Sequence, residues 1–283
     1  MLAPSSGSDD RHAGATGEAG AAGEAGAAGE AGVAGRFTRL VDYYGADGFA
    51  RVRAARVVVI GLGGVGAHAA VALARSGVGR LVLVDHDSVT VSSLNRSPAA
   101  TLEDVGRPKA EVLVGHLART CPDTAVGARI EFCHVDTLAA LLTPVPAVVV
   151  DAIDGLTPKL ALLVHCVTGG LPVVSSMGAS SRRLTVGLRI GDIAESRTCP
   201  LARRVRQRLR RRGIASGIMC VWSEEPSGGD LPPDLGDRLC ERGRVRNRLP
   251  SQISLPGMFG YALAALALER IAGTEDGAGG GGP

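Results

Sequence analysis

The sequence predicts an α/β protein of Rossmann-like build, a mostly parallel sheet with helices on both faces. Three observations carry this. Short, fully apolar β-branched runs alternate with helix-length patterns, as expected for strands covered on both faces. The first run, at 57–60, opens into a glycine-rich turn and then an alanine-rich helical stretch. Two other runs end in acidic residues, Asp85 and Asp151, and ligands of open parallel sheets bind at the carboxyl ends of the strands.

Residues 1–35 hold a six-residue repeat, Gly-Glu-Ala-Gly-Ala-Ala, with almost no large apolar side chain. Such a segment cannot bury a core and is expected to be a disordered tail. The glycine-rich end, 273–283, is expected to be a second tail. The folded region is then 36–272, one domain by size. Within it, 57–60 predicts a buried strand and 67–76 a helix. Residues 81–84 predict a strand, 109–120 a helix, 129–135 a strand and 147–150 a strand. A helix over 159–168 and a strand over 172–176 follow.

Composition narrows the function classes. The 283 residues carry a net charge of +3, too little to make the whole chain a polyanion binder. Of its 31 basic residues only Lys109 and Lys159 are lysines, so lysine is not surface filler here. No apolar run reaches the length of a membrane span. The start lacks the basic and apolar regions of a secretory signal, and its glutamates argue against a transit peptide. Cys121, Cys133, Cys166, Cys199, Cys220 and Cys240 are scattered with no CxxC pair. That predicts neither a zinc site nor a disulfide scaffold, and points to a reducing cytoplasm.

Gly61-Leu62-Gly63-Gly64-Val65-Gly66 lies between the first strand and its helix. Glycines there let the backbone turn tightly and approach a phosphate, and the helix N-terminus favours an anion. The same letters fit GxGxxG, so the turn alone leaves a dinucleotide site open. Asp85, about 20 residues further on, is placed to accept from ribose hydroxyls. Asp87, Asn95, Arg96 and Lys109 follow, and then Asp151-Ala152-Ile153-Asp154. Two cations and a carboxylate beside a phosphate turn suit a triphosphate with Mg²⁺. Hydride transfer would not need them.

These motifs resemble the ubiquitin-activating-like adenylating enzymes, the group of the molybdopterin and thiamine sulfur-carrier adenylyltransferases. Arg36-Phe37-Thr38-Arg39 is similar to that family's entry motif. The resemblance implies that Arg39 is offered to the phosphates of a neighbouring subunit, hence a homodimer. It implies that Gly61, Gly63, Gly64 and Gly66 form the ATP loop, with Asp85 on the ribose. It gives Arg96 and Lys109 the phosphates, and Asp154 the Mg²⁺. Within the family the likeness is to the tRNA threonylcarbamoyladenosine dehydratases. Asp151-Ala152-Ile153-Asp154 with Pro158-Lys159, Asp192-Ile193-Ala194, the 219–226 segment and the 255–260 segment carry it. The absence of CxxC pairs agrees. Ser93 stands where the family often has Asn, Ser175-Ser176-Met177-Gly178 replaces a glycine-richer turn, and 227–244 is idiosyncratic. The implied activity is ATP-driven cyclisation of threonylcarbamoyladenosine in tRNA. The alternative is activation of a ubiquitin-like or sulfur-carrier protein, and a cysteine desulfurase or sulfur acceptor is a further partner left open.

Arg203, Arg204, Arg206, Arg208, Arg210, Arg211 and Arg212 crowd one helical stretch with Leu201, Val205 and Leu209 as its apolar stripe. Residues 238–248 add more arginines. Localised arginine on a helix is the footprint of a phosphate backbone, and also of a plain solvated face. Cys220 is the candidate reactive thiol, against the alternative of a small core residue. His68 is expected to pack or face solvent.

Overall fold

The computed structural model describes residues 35–228 and 249–273. The six-residue repeat, most of the 273–283 segment, Cys240 and the 238–248 arginines therefore lie outside the described residues. The chain divides into two compact units, one ending at Arg39 and one beginning at Leu40. In the first, Thr38 Oγ1 donates to the Gly35 carbonyl at 2.9 Å. The Arg36 guanidinium lies 5.2 Å from the centre of the Phe37 ring, and Arg39 is exposed.

The elements, in chain order, begin with α1 (Thr38–Ala54), broken at Gly45 by a positive φ of 71°. Then come β1 (Arg56–Ile60), α2 (Gly66–Arg75), β2 (Arg80–Val84), α3 (Lys109–Thr120), β3 (Ala125–Arg129) and α4 (Leu138–Leu141). They continue with β4 (Val148–Asp151), α5 (Leu156–Thr168), β5 (Val173–Ser176) and β6 (Leu188–Asp192). The last are α6 (Pro200–Arg210), β7 (Met219–Ser223) and α7 (Ser254–Ala272). The sheet runs β3-β2-β1-β4-β5-β7-β6. All neighbours are parallel except β6 and β7. Strand order reverses between β1 and β4, which is where such sheets open a crevice for ligands.

The period of two explains how two cores grow from one sheet. Val57 and Val59 of β1 enter one buried cluster with α2, α3 and α7. Val58 and Ile60 enter the other with α4, α5 and α6. Val148 and Val150 join the first cluster and Val149 the second. Strands buried on both faces can therefore be apolar at every position. Helix α7 is long and apolar enough to cross a membrane by length and composition. Its Phe259, Leu263 and Ala267 are nevertheless fully buried in the first cluster, so that apolarity fills a core. It crosses α2 closely: a Cβ on Gly260 would collide with the Val65 carbonyl and the His68 side chain.

Most expected elements form, with two shifts. Helix α5 starts three residues early, at Leu156, which puts Lys159 in its first turn, its amide donating to the Gly155 carbonyl at 3.1 Å. The strand expected at 129–135 is instead β3, at Ala125–Arg129. That edge strand alternates half-buried and exposed residues, so it needs no apolar run. The apolar residues beyond it sit in a loop, where Cys133 is buried in the second cluster.

Candidate nucleotide site at the strand ends

The glycine turn leaves β1 at its carboxyl end. Gly61 takes φ +90°, and its amide donates to the Val84 carbonyl at 2.9 Å. A Cβ on Gly61 would stand 2.8 Å from the Ala152 carbonyl oxygen. Glycine is thus required twice, for the left-handed backbone and for the close approach of a second loop. That second loop follows β4 and carries Asp154, which is exposed. Gly63 has open space where a Cβ would be, so its backbone is accessible to a ligand. Gly66 begins α2, where a Cβ would clash with the Gly61 carbonyl.

Asp85 is buried at the end of β2. Its Oδ2 accepts from the Leu62 amide at 2.5 Å and its Oδ1 from the Asp87 amide at 2.8 Å. The side chain expected on a ribose is therefore also a strut under the glycine turn. Lone pairs remain on both oxygens for a hydroxyl donor.

Asp87 pairs with Lys109, Nζ to Oδ2 3.0 Å, and the Lys109 amide donates to the Asp87 carbonyl at 3.0 Å. The start of α3 is thereby fastened to the rim. His86 stands between the two carboxylates, its Nε2 3.2 Å from Asp87 Oδ1 and its ring edge-on to Phe132. The 3-10 turn Val91–Arg96 presents Arg96, which donates to the Ser92 carbonyl at 2.5 Å and lies against Gly64.

A small cleft results, lined by Gly63, Gly64, Ser93, Arg96 and Lys109 among others. Sequence-predicted residues from three separate segments meet there. Ser93 is engaged with Thr90, to whose Oγ1 it lies at 2.9 Å. Asn95 does not line the pocket. Its Nδ2 donates to the Ser251 carbonyl at 3.1 Å, tying the rim to the chain before α7. His68 is buried, with Nδ1 2.6 Å from the Gly64 carbonyl. An acceptor at that distance makes Nδ1 the protonated nitrogen, so His68 braces the turn.

Cys220 is a correction. It lies in β7 between β5 and β6, fully buried. Burial pushes its thiol up to about 12. A thiol so placed is a core residue rather than a nucleophile. The basic helix needs a smaller amendment. In α6, Arg203, Arg204, Arg208 and Arg210 are exposed, and so are Arg211 and Arg212 just beyond it. Ala202, Val205 and Leu209 are buried, so the apolar stripe includes Ala202, while Leu201 is only half-buried. Arg206 is also half-buried and donates to the Ser196 carbonyl and hydroxyl, so it is occupied within the fold.

Sequence reasoning missed one cluster. Lys159, Asp151 and Ser175 are all fully buried. Lys159 Nζ lies 2.5 Å from Asp151 Oδ2, and the Ser175 hydroxyl donates to the same oxygen at 2.6 Å. The scarcity of lysine was the one signal that could have found it.

The residues fit a magnesium–nucleotide: an accessible glycine backbone at a helix start, two cations in the same pocket, and an exposed carboxylate on the abutting loop. The ThiF family profile matches residues 37–278. A tRNA threonylcarbamoyladenosine dehydratase of Bacillus subtilis is 36% identical over 190 residues, 67% of this chain and 75% of that protein. The Saccharomyces cerevisiae tRNA threonylcarbamoyladenosine dehydratase 2 is 36% identical over 255 residues, 82% of this chain. This chain spans about half of that yeast protein, 55% of its length. The crystal structure of the Escherichia coli tRNA N6-threonylcarbamoyladenosine dehydratase in complex with ATP superposes with a TM-score of 0.74. It is 28% identical and covers 86% of this chain and 96% of that one. On fold, glycine turn and these likenesses together, the chain belongs to the ThiF family.

Proposed function

We propose that this protein is an ATP-dependent tRNA threonylcarbamoyladenosine dehydratase. The observation that carries the reading is the convergence of Gly63, Gly64, Arg96 and Lys109 on one pocket, in a chain matched by dehydratases over most of its folded length. ATP lies with its phosphates along the glycine turn, favoured by the start of α2. Mg²⁺ held by Asp154 supplies charge neutralisation at the phosphates. The threonyl carboxylate of the modified adenosine attacks the α-phosphate, forming an acyl-adenylate and releasing pyrophosphate. Arg96 and Lys109 offset the negative charge that gathers in that attack. A nucleophilic atom of the same modification then attacks the activated carbonyl, closes the ring and expels AMP. The sum is loss of one water at the expense of ATP.

The exposed arginines of α6 supply the phosphate-backbone contacts that hold tRNA. A homodimer in which Arg39 reaches the neighbour's phosphates completes the assignment. The test is mass spectrometry of nucleosides from threonylcarbamoyladenosine-bearing tRNA incubated with the protein, Mg²⁺ and ATP. ATP-dependent loss of one water from the modified nucleoside is the expected result. An unchanged nucleoside despite ATP binding would overturn it in favour of a protein C-terminus as the substrate.

A further inference from the structure

We propose that Lys159, Asp151 and Ser175 are positioning residues that hold the Asp154 loop against the glycine turn. This rests on the reading of Asp154 as the Mg²⁺ ligand. The geometry begins in the sheet. Asp151 is the last residue of β4, opposite Ile60 in β1 and Ser175 in β5. It is a carboxylate with no exposed surface, in a strand row where apolar residues are the rule. A buried charge of this kind costs stability unless it is paired and fully hydrogen-bonded.

Both of its oxygens are engaged. Oδ2 takes the Lys159 ammonium and the Ser175 hydroxyl, and the ammonium also lies 3.3 Å from Ser175 Oγ. Oδ1 accepts from the Ile153 amide at 3.1 Å. That last bond turns the chain back immediately before Asp154. The Ala152 amide in turn donates to the Ile60 carbonyl at 2.9 Å. The loop is fixed from beneath at Ala152 and Ile153, and its Ala152 carbonyl oxygen stands only 2.8 Å from where a Cβ on Gly61 would be. Lys159 and Ser175 set the orientation of Asp151, Asp151 sets the Ile153 amide, and the amide sets the direction in which Asp154 leaves the sheet. A buried apolar trio would fill the same volume without specifying that direction.

The test uses the full chain with three substitutions. Lys159→Met is the direct one, and its unpaired Asp151 endangers folding. Ser175→Ala removes one hydroxyl and keeps the ion pair. Asp151→Asn with Lys159→Met removes both charges while keeping an amide oxygen. Two readouts separate positioning from bulk stability. The first is amide hydrogen exchange over 152–155 compared with the β1 and β4 cores. The second is ATP affinity by calorimetry, with and without Mg²⁺.

In Ser175→Ala, exchange over 152–155 should accelerate while the strand cores stay protected. The Mg²⁺-dependent part of ATP affinity should fall about tenfold, the size usual for a residue that orients a metal ligand. Affinity without Mg²⁺ should not move. The double variant should show the same pattern, more strongly. Unchanged exchange and unchanged Mg²⁺ dependence in Ser175→Ala and the double variant would overturn the proposal, as would a loss spread evenly over the whole sheet. Failure of the unsubstituted protein to bind Mg²⁺–ATP would instead strike the functional reading itself.

Discussion

Lys109 and Lys159 each meet an aspartate, but on opposite sides of the β1–β4 junction and in opposite surroundings. Lys109 and Asp87 sit on the rim with side chains 16% and 33% exposed, and the ammonium borders the pocket. Lys159 and Asp151 have no exposure at all. The first pair is open to a charged ligand entering the pocket. The second pair is sealed, so its strength can be spent only on the geometry of the chain. One residue type thus borders an open pocket at one place and lies sealed in the core at the other, and solvent access separates the two.

Substitution should widen that contrast. Lys159→Met leaves a buried carboxylate without its partner and should lower unfolding free energy by about 3–5 kcal/mol in denaturant titrations. Adding Asp151→Asn should restore much of the loss, because the orphaned charge is gone. If Lys159→Met alone proved harmless to stability, the burial argument would fail. Lys109→Ala should do the reverse. Its rim pair is worth about 1 kcal/mol or less, so melting should barely change. ATP turnover, however, should drop about a hundredfold or more, and a variant that turned over normally would remove Lys109 from the phosphates.

Thiols near the sealed pair offer a chemical readout. Burial pushes Cys133, Cys166 and Cys220 up to about 12. A raised thiol holds less thiolate at a given pH, so at pH 8 alkylation should run roughly a thousandfold slower than for an ordinary cysteine. Peptide mapping after brief iodoacetamide treatment checks this, and rapid labelling of Cys220 would reopen the transfer-thiol reading. The smallest effects belong to α6. Replacing Arg203, Arg204 and Arg208 with alanine should weaken tRNA binding several-fold and flatten its salt dependence. Arg206→Ala should instead cost about 1.5 kcal/mol of stability through its lost Ser196 bonds. Equal behaviour of the two variants in a salt titration would erase the distinction between them.

What could be seen in the sequence was what is local. The glycine turn, its flanking strand and helix, and the run from Asp85 to Lys109 lie within one stretch of chain, and their pattern exposes their chemistry. The α6 stripe was legible by helical spacing, with Ala202 too small to register. The edge strand β3 was misplaced because its outward residues are exposed and carry no apolar run. The Lys159–Asp151–Ser175 cluster was missed because it is assembled by β-pairing and a crossover helix, across gaps that no linear spacing announces. Cys220 suggested reactivity as a letter in a motif and lost it through burial, which is a property of the whole sheet.

The contact between Gly61 and the Ala152 carbonyl has a consequence for building hybrids of this fold. It joins the half of the sheet before the strand-order reversal to the half after it, and it is made entirely by main-chain atoms. The Ala152 side chain meanwhile faces Gly66 of the same turn, where a Cβ would stand 3.1 Å from it. Halves taken from two relatives must therefore keep glycine at position 61 for that seam to close, whatever else is repacked around it.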